Sequence, residues 1–155
     1  EVLFRGIIFR IMEEGIGSWG AIALSSLIFG GAHLSNPHSS VFAAIAIAVE
    51  AGLMLSGAYM LTRDLWMAIG IHWSWNFFEG PVFGTAVSGG DFPVMVRSTM
   101  TGPALWTGGS FGPEAGLVAF IIAGSIGGLM IYLAVKKGFT LSPMWRAKEV
   151  SPEQT

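Results

Sequence analysis

The sequence contains no cysteine and few charged residues of either sign. Its 155 residues include eight Lys and Arg and ten Asp and Glu, so 12% are charged and the formal net charge is -2. Without cysteine the chain has no disulfide framework and no thiolate for catalysis or metal binding. The few cations form no basic patch, so nucleic acid is not expected as a partner. A soluble domain has about a quarter of its residues charged, and this composition excludes that class.

The residues that are present are mostly apolar or small. Hydrophobic residues make up 52% of the chain, and 22 residues are glycine. A chain this apolar has enough surface to bury, which excludes disorder. In lipid every backbone polar group must be paired within its own segment, so long apolar runs predict helices, and abundant glycine is typical of closely packed membrane helices. We therefore predict a protein of the cell membrane, in contact with membrane lipid.

Five apolar stretches predict an all-α, multi-pass transmembrane helical bundle with about five membrane segments. Polar or turn-forming residues bound each stretch, such as the Glu13-Glu14-Gly15 cluster after the first. The approximate ranges are 2–12, 18–34, 41–61, 65–83 and 115–135.

The chain is predicted to have a single helical core and a tail. The core covers residues 1–137, and residues 138–155 form a polar C-terminal tail. The stretch 84–113 is rich in Gly, Ser, Thr and Pro, which predicts a loop. Because the chain begins with Glu rather than Met and shows no signal segment, we expect an N-terminally truncated fragment.

Several polar side chains lie inside or at the ends of the apolar stretches, where ionisable groups are costly and are functional candidates by default. Each belongs to a pair of residues four positions apart, a spacing that places both members on one helix face. The pairs are Glu1 with Arg5, Phe29 with His33, and His72 with Asn76. If the three helices pack together, we expect these faces to converge on one polar pocket.

Such a pocket could activate water for hydrolysis of an amide bond. A carboxylate can act as general base, an imidazole can orient the water or protonate a leaving amine, and Asn or a second His can stabilise an oxyanion. Glu1, His33 and His72 could equally hold zinc with an open position for water. The residues leave both schemes open.

Three short motifs resemble those of a known family. The motifs are EVLFRG at residues 1–6, FGGAH at 29–33 and HWSWN at 72–76. They resemble the motifs of the CAAX prenyl endopeptidase and bacteriocin-processing (CPBP, or Abi) intramembrane proteases, and residues 106–114 are similar to a loop in some bacterial members. The resemblance implies an intramembrane endopeptidase of the metallo or glutamate type. Its substrates would be peptides or membrane proteins, prenylated for some members.

The resemblance also implies roles for individual residues. Glu1 and Arg5 would support the site, His33 would help to activate water, and His72 with Asn76 would bind the oxyanion. The family's first motif carries two adjacent Glu residues, and Glu1 matches the second. The first, which is the family's general base, would lie immediately before residue 1.

Two other functions stay open from the sequence. Buried His, Glu and Arg also build ion paths in transporters and channels, although the inverted repeats and broken helices common in transporters are not evident. A catalytically silent family member could act in bacteriocin immunity. Glu50, midway along the third stretch, has no assigned role and is a candidate for lining the cavity, and Glu79 is expected at the rim of the site.

Overall fold

The computed structural model describes residues 1–146, and the regular elements in this part of the chain are helical. This confirms the all-α class. The helices are α1 (Val2–Ser35), α2 (Val41–Thr62), α3 (Trp66–Phe77), α4 (Ala104–Thr107) and α5 (Leu117–Lys136). A π-helical turn, Phe78–Val82, extends α3, and most of the segment between this turn and α5 is irregular.

Three helices, α1, α2 and α5, are long and apolar enough to cross a membrane, so the prediction of about five membrane segments is wrong. One reason is that the first two apolar stretches belong to one helix, α1. The other is the length of α3, whose 12 residues extend about 18 Å at 1.5 Å per residue. Even with the 5-residue π turn, α3 falls short of the ~30 Å hydrocarbon core.

The helix α1 continues through the polar cluster where a boundary was predicted. Glu13 is buried there because its carboxylate accepts hydrogen bonds from Ser18 Oγ and Arg63 Nη1, both at 2.6 Å. With its charge compensated, Glu13 can lie inside the bundle instead of in a solvated turn.

The break in α1 comes later, at Gly17, although no broken helix was evident from the sequence. Gly17 has φ +77°, and a Cβ there would lie 2.9 Å from the carbonyl oxygen of Leu141. Leu141 also exchanges hydrogen bonds with Ser18, so the chain after α5 packs against the break. The boundary at residue 137 stays a prediction, and residues 147–155 of the predicted tail lie outside the described part.

Glycine allows α1 and α2 to approach closely near the candidate site. A Cβ on Gly30 would lie 2.3 Å from the carbonyl oxygen of Ala44, whereas a Cβ on Gly31 would meet no atom within 4 Å. The obstacle at Gly30 is backbone, which cannot rotate away. A side chain at position 30 would therefore push α1 and α2 apart, and only glycine fits at their present separation.

We expect Gly30→Ala to destabilise the fold by about 1–3 kcal/mol, the usual cost of overpacking a core. Gly31→Ala is the matched control, because the same methyl group there enters open space and gains up to ~1 kcal/mol of helix propensity. Thermal unfolding in detergent compares the two variants. Equal stability of both would contradict the close α1–α2 contact.

Candidate active site

Arg5 and Glu1 form a buried ion pair at the start of α1. Arg5 Nη1 lies 3.2 Å from Glu1 Oε1, and Arg5 is 0% exposed. The other terminal nitrogen, Nη2, donates to the carbonyl oxygens of Ala51 and Gly52 at 3.1 and 3.2 Å. The guanidinium therefore joins α1 to the middle of α2.

His72 of α3 is held by the same carboxylate. Its Nδ1 donates to Glu1 Oε1 at 2.8 Å, and its side chain is 31% exposed. Because this bond engages Nδ1, Nε2 is the ring nitrogen left for another partner. Glu1 thereby orients the His72 ring while Arg5 balances the charge of Glu1.

His33 is placed by the end of α1. Its Nδ1 donates to the carbonyl oxygen of Phe29 at 2.7 Å. The Phe29 ring packs against both imidazoles, with its centre 4.8 Å from that of His33 and 5.9 Å from that of His72, and the Arg5 guanidinium lies 4.6 Å from the same centre. The buried Phe29 ring is therefore a common contact of the two histidines and Arg5.

A small cavity lies where these elements meet. Its volume is about 20 Å³, and it is lined by His33, His72, Asn76 and Glu50 together with apolar side chains, Ser88 and Glu114. A water molecule needs roughly 10–15 Å³ measured in this way, so one water fits among several polar groups. The structure thus brings His33, His72 and Asn76 to one cavity, with Glu1 and Arg5 in direct contact behind His72.

Three further acidic residues are buried near the cavity. They are Glu50, Glu79 and Glu114, with exposed fractions of 2%, 8% and 2%. Glu79, which was expected at the rim of the site, is buried and does not line the cavity. Glu114 lies in the segment 106–114 that resembled a family loop, but its burial depends on contacts with distant residues.

Glu114 anchors the irregular segment over the end of α1. Its two carboxylate oxygens accept hydrogen bonds from Ser88 N at 3.1 Å and Ser88 Oγ at 2.7 Å. Asn36 Nδ2, three residues after His33, donates to the carbonyl oxygen of Ser88 at 3.0 Å. The segment that follows α3 is therefore attached beside His33.

Glu79 lies beside this anchor. Burial and the neighbouring Glu114 carboxylate raise the pKa of Glu79 to about 10. A buried carboxyl next to another carboxylate is more stable when neutral, so Glu79 holds a proton at pH 7.

The zinc interpretation is not supported by the side chains in place. Within residues 1–146, no three His, Asp or Glu side chains are positioned to hold a metal ion, and this includes the candidate set Glu1, His33 and His72. Glu1 Oε1 already pairs with Arg5 and accepts a hydrogen bond from His72.

Comparison of the sequence with protein-family models agrees with the site. The model of the family described as type II CAAX prenyl endopeptidase Rce1-like matches residues 1–78, a range that contains Glu1, Arg5, His33, His72 and Asn76. The match covers half of the chain, and the chain belongs to this family, which confirms the resemblance. No curated protein and no solved structure matches the chain.

Membership in this family indicates the class of protein and the class of its substrate. The family is one of peptidases, so a peptide is the class of substrate it implies. The three candidate spans place such a protein in a membrane.

Proposed function

We propose that the protein is a multi-pass intramembrane endopeptidase that hydrolyses a peptide bond with a water molecule held in the cavity. The observation that carries this proposal is the arrangement of two histidines on one water-sized cavity, each with a different hydrogen-bond partner. The different partners fit the two histidines for different tasks.

His33 is suited to hold the water. A backbone carbonyl can only accept a hydrogen bond, so the Phe29 carbonyl keeps the proton on Nδ1 and leaves Nε2 with a lone pair. That lone pair accepts a hydrogen bond from the water and increases the nucleophilicity of the water oxygen.

His72 is suited to stabilise negative charge. Glu1 engages Nδ1, so Nε2 is the ring nitrogen left to meet the substrate. When the ring is protonated, Nε2 carries a proton and donates a hydrogen bond to the carbonyl oxygen of the scissile bond as that oxygen becomes an oxyanion. Asn76, one turn along α3, supplies a second donor.

The substrate is a peptide that reaches the cavity from the membrane. Prenylated C-terminal peptides are one class, and precursor peptides and membrane proteins are another. Each presents an amide bond that one water molecule can cleave.

Asn76→Ala tests the proposal. Loss of one oxyanion donor is expected to lower kcat by about 10²–10³-fold while KM changes little, because the donor acts mainly in the transition state. Cleavage of peptide and membrane-protein substrates is measured by mass spectrometry with the full-length protein in proteoliposomes. An unaltered protein that cleaves none of them contradicts the proposal, and ion flux across the same vesicles would favour a transporter.

A further inference from the structure

Ser88 connects the end of α1 to the residues just before α5. Its backbone N–H and its hydroxyl donate to the Glu114 carboxylate at 3.1 and 2.7 Å, and its carbonyl oxygen accepts from Asn36 Nδ2 at 3.0 Å. Each polar group of Ser88 thus bonds a residue that is distant in sequence. Both Ser88 and Glu114 line the cavity, as His33 does. The connection therefore forms part of the cavity wall.

The backbone conformation of Ser88 depends on these partners. Its φ of +48° lies in the left-handed region, which serine seldom adopts. Residues in such conformations persist only where their surroundings hold them, and they cluster at active sites. The buried Glu114 carboxylate accepts one hydrogen bond from the backbone of Ser88 and another from its side chain, so it fixes both.

Gly89 adds a second contact to the same connection. Its N–H donates to the carbonyl oxygen of Phe111 at 2.6 Å. A Cβ on Gly89, whose φ is +79°, would overlap the carbonyl oxygen of Pro37, so the backbones of these two residues are in close contact. Ser88 and Gly89 together link the chain that leaves α1 to the chain that enters α5.

The turn that carries His33 is mostly exposed. A single 3₁₀ turn, His33–Ser35, ends α1, and its other two residues are exposed. The hydrogen bonds of His33 are local, because its Nδ1 donates to the carbonyl oxygen of Phe29 and its own carbonyl oxygen accepts from Asn36 N at 3.1 Å. Among the described residues, Asn36 supplies the side-chain hydrogen bond that ties this turn to a distant part of the chain, and the acceptor is Ser88.

We infer that Glu114 is a positioning residue that holds His33 against the cavity water through Ser88 and Asn36, an inference that rests on the proposed function. Without the Glu114 carboxylate, Ser88 loses two of its three hydrogen bonds and can leave the left-handed region. Asn36 then loses a fixed acceptor, and the turn that carries His33 gains freedom. Misplacing a reacting group by about 1 Å can cost ~10²-fold in rate, so the water at His33 attacks more slowly while peptide binding is unaffected.

Glu114→Ala in the full-length protein tests this role, with Ser98→Ala as the matched control. The Ser98 hydroxyl donates to the carbonyl oxygen of Phe83 in the same irregular segment, but Ser98 is exposed and does not line the cavity. For hydrolysis in proteoliposomes, we expect Glu114→Ala to lower kcat by about 10²-fold with KM within about threefold, and Ser98→Ala to match the unaltered protein.

Glu114→Gln separates positioning from a role of the charge. The amide oxygen can accept from Ser88 N, and the amide nitrogen can donate to Ser88 Oγ, since a hydroxyl both donates and accepts. Both contacts are therefore kept, and we expect glutamine to restore kcat to within about threefold of the unaltered value. A loss in Glu114→Gln as large as that in Glu114→Ala overturns the inference.

The imidazole nitrogen resonances of the protein give a readout that does not require activity. The chain has three histidines, so the signals of ¹⁵N-histidine-labelled protein in detergent can be assigned by single substitutions. Glu114→Ala should shift the His33 signals and leave those of His72, which is held by Glu1, in place. If Glu114→Ala does not fold, Asn36→Ala removes the other end of the connection and should move the His33 signals in the same way.

Unmoved His33 signals in the folded variant overturn the inference, whether or not the protein cleaves a peptide. Unchanged kcat in folded Glu114→Ala overturns it as well. Absence of cleavage by the unaltered protein contradicts the proposed function, whereas a shift confined to the His33 signals would still support the connection from Glu114 to His33.

Discussion

Replacing His33 or His72 with alanine is expected to lower peptide hydrolysis by about 10⁴-fold, the upper end of what general acid–base groups contribute. Each variant removes the nitrogen that we place on the water or on the oxyanion. Folding should be retained, because Arg5 still pairs with Glu1 when His72 is absent, and His33 bonds only its own helix in the contacts described. Hydrolysis by the full-length protein in proteoliposomes and thermal unfolding in detergent measure the two effects.

His38→Ala provides the control for these variants. His38 is the third histidine of the chain, and it is exposed in the loop between α1 and α2. Its removal should leave hydrolysis within about threefold of the unaltered rate. Unchanged cleavage by both His33→Ala and His72→Ala would eliminate the hydrolytic mechanism. Equal losses in all three variants would point to a general effect on the fold.

Helical spacing was enough to predict the local part of the site. Glu1 with Arg5 and Phe29 with His33 stand four residues apart, and such pairs meet whenever the segment is helical. Both pairs are in contact in the structure. The bond between Glu1 and His72 joins residues 71 positions apart and depends on how α1 and α3 pack, which a periodic pattern does not encode.

The acidic residues show the limit of sequence analysis most clearly. Glu50 stood out as a charge in an apolar stretch and as a candidate for lining the cavity, and it does line the cavity with His33 and His72. Glu114 is buried because Ser88, 26 residues earlier, donates two hydrogen bonds to it. The predicted boundary at Glu13 failed for a similar reason, since Arg63 of a distant turn compensates its charge.

Arg5→Ala is expected to reduce the free energy of unfolding by about 3–5 kcal/mol, the cost of removing one partner from a buried ion pair. The substitution leaves the Glu1 carboxylate without its cation and the Ala51 and Gly52 carbonyls without the Arg5 donor. Unfolding in detergent at several temperatures measures the loss. Hydrolysis should fall as well, because Arg5 positions the carboxylate that orients His72.

Arg10→Ala is the matched control, since Arg10 and Glu14 form an ion pair at the same spacing on the same helix but are both well exposed. A surface pair contributes about 0–1 kcal/mol, so the two variants should differ several-fold. If the loss in Arg5→Ala comes mainly from an uncompensated Glu1 carboxylate, adding Glu1→Gln should restore part of the stability, and the two effects should not be additive. Strict additivity would instead assign the loss to the α2 carbonyl groups, and a loss no larger than that of Arg10→Ala would contradict the buried pair itself.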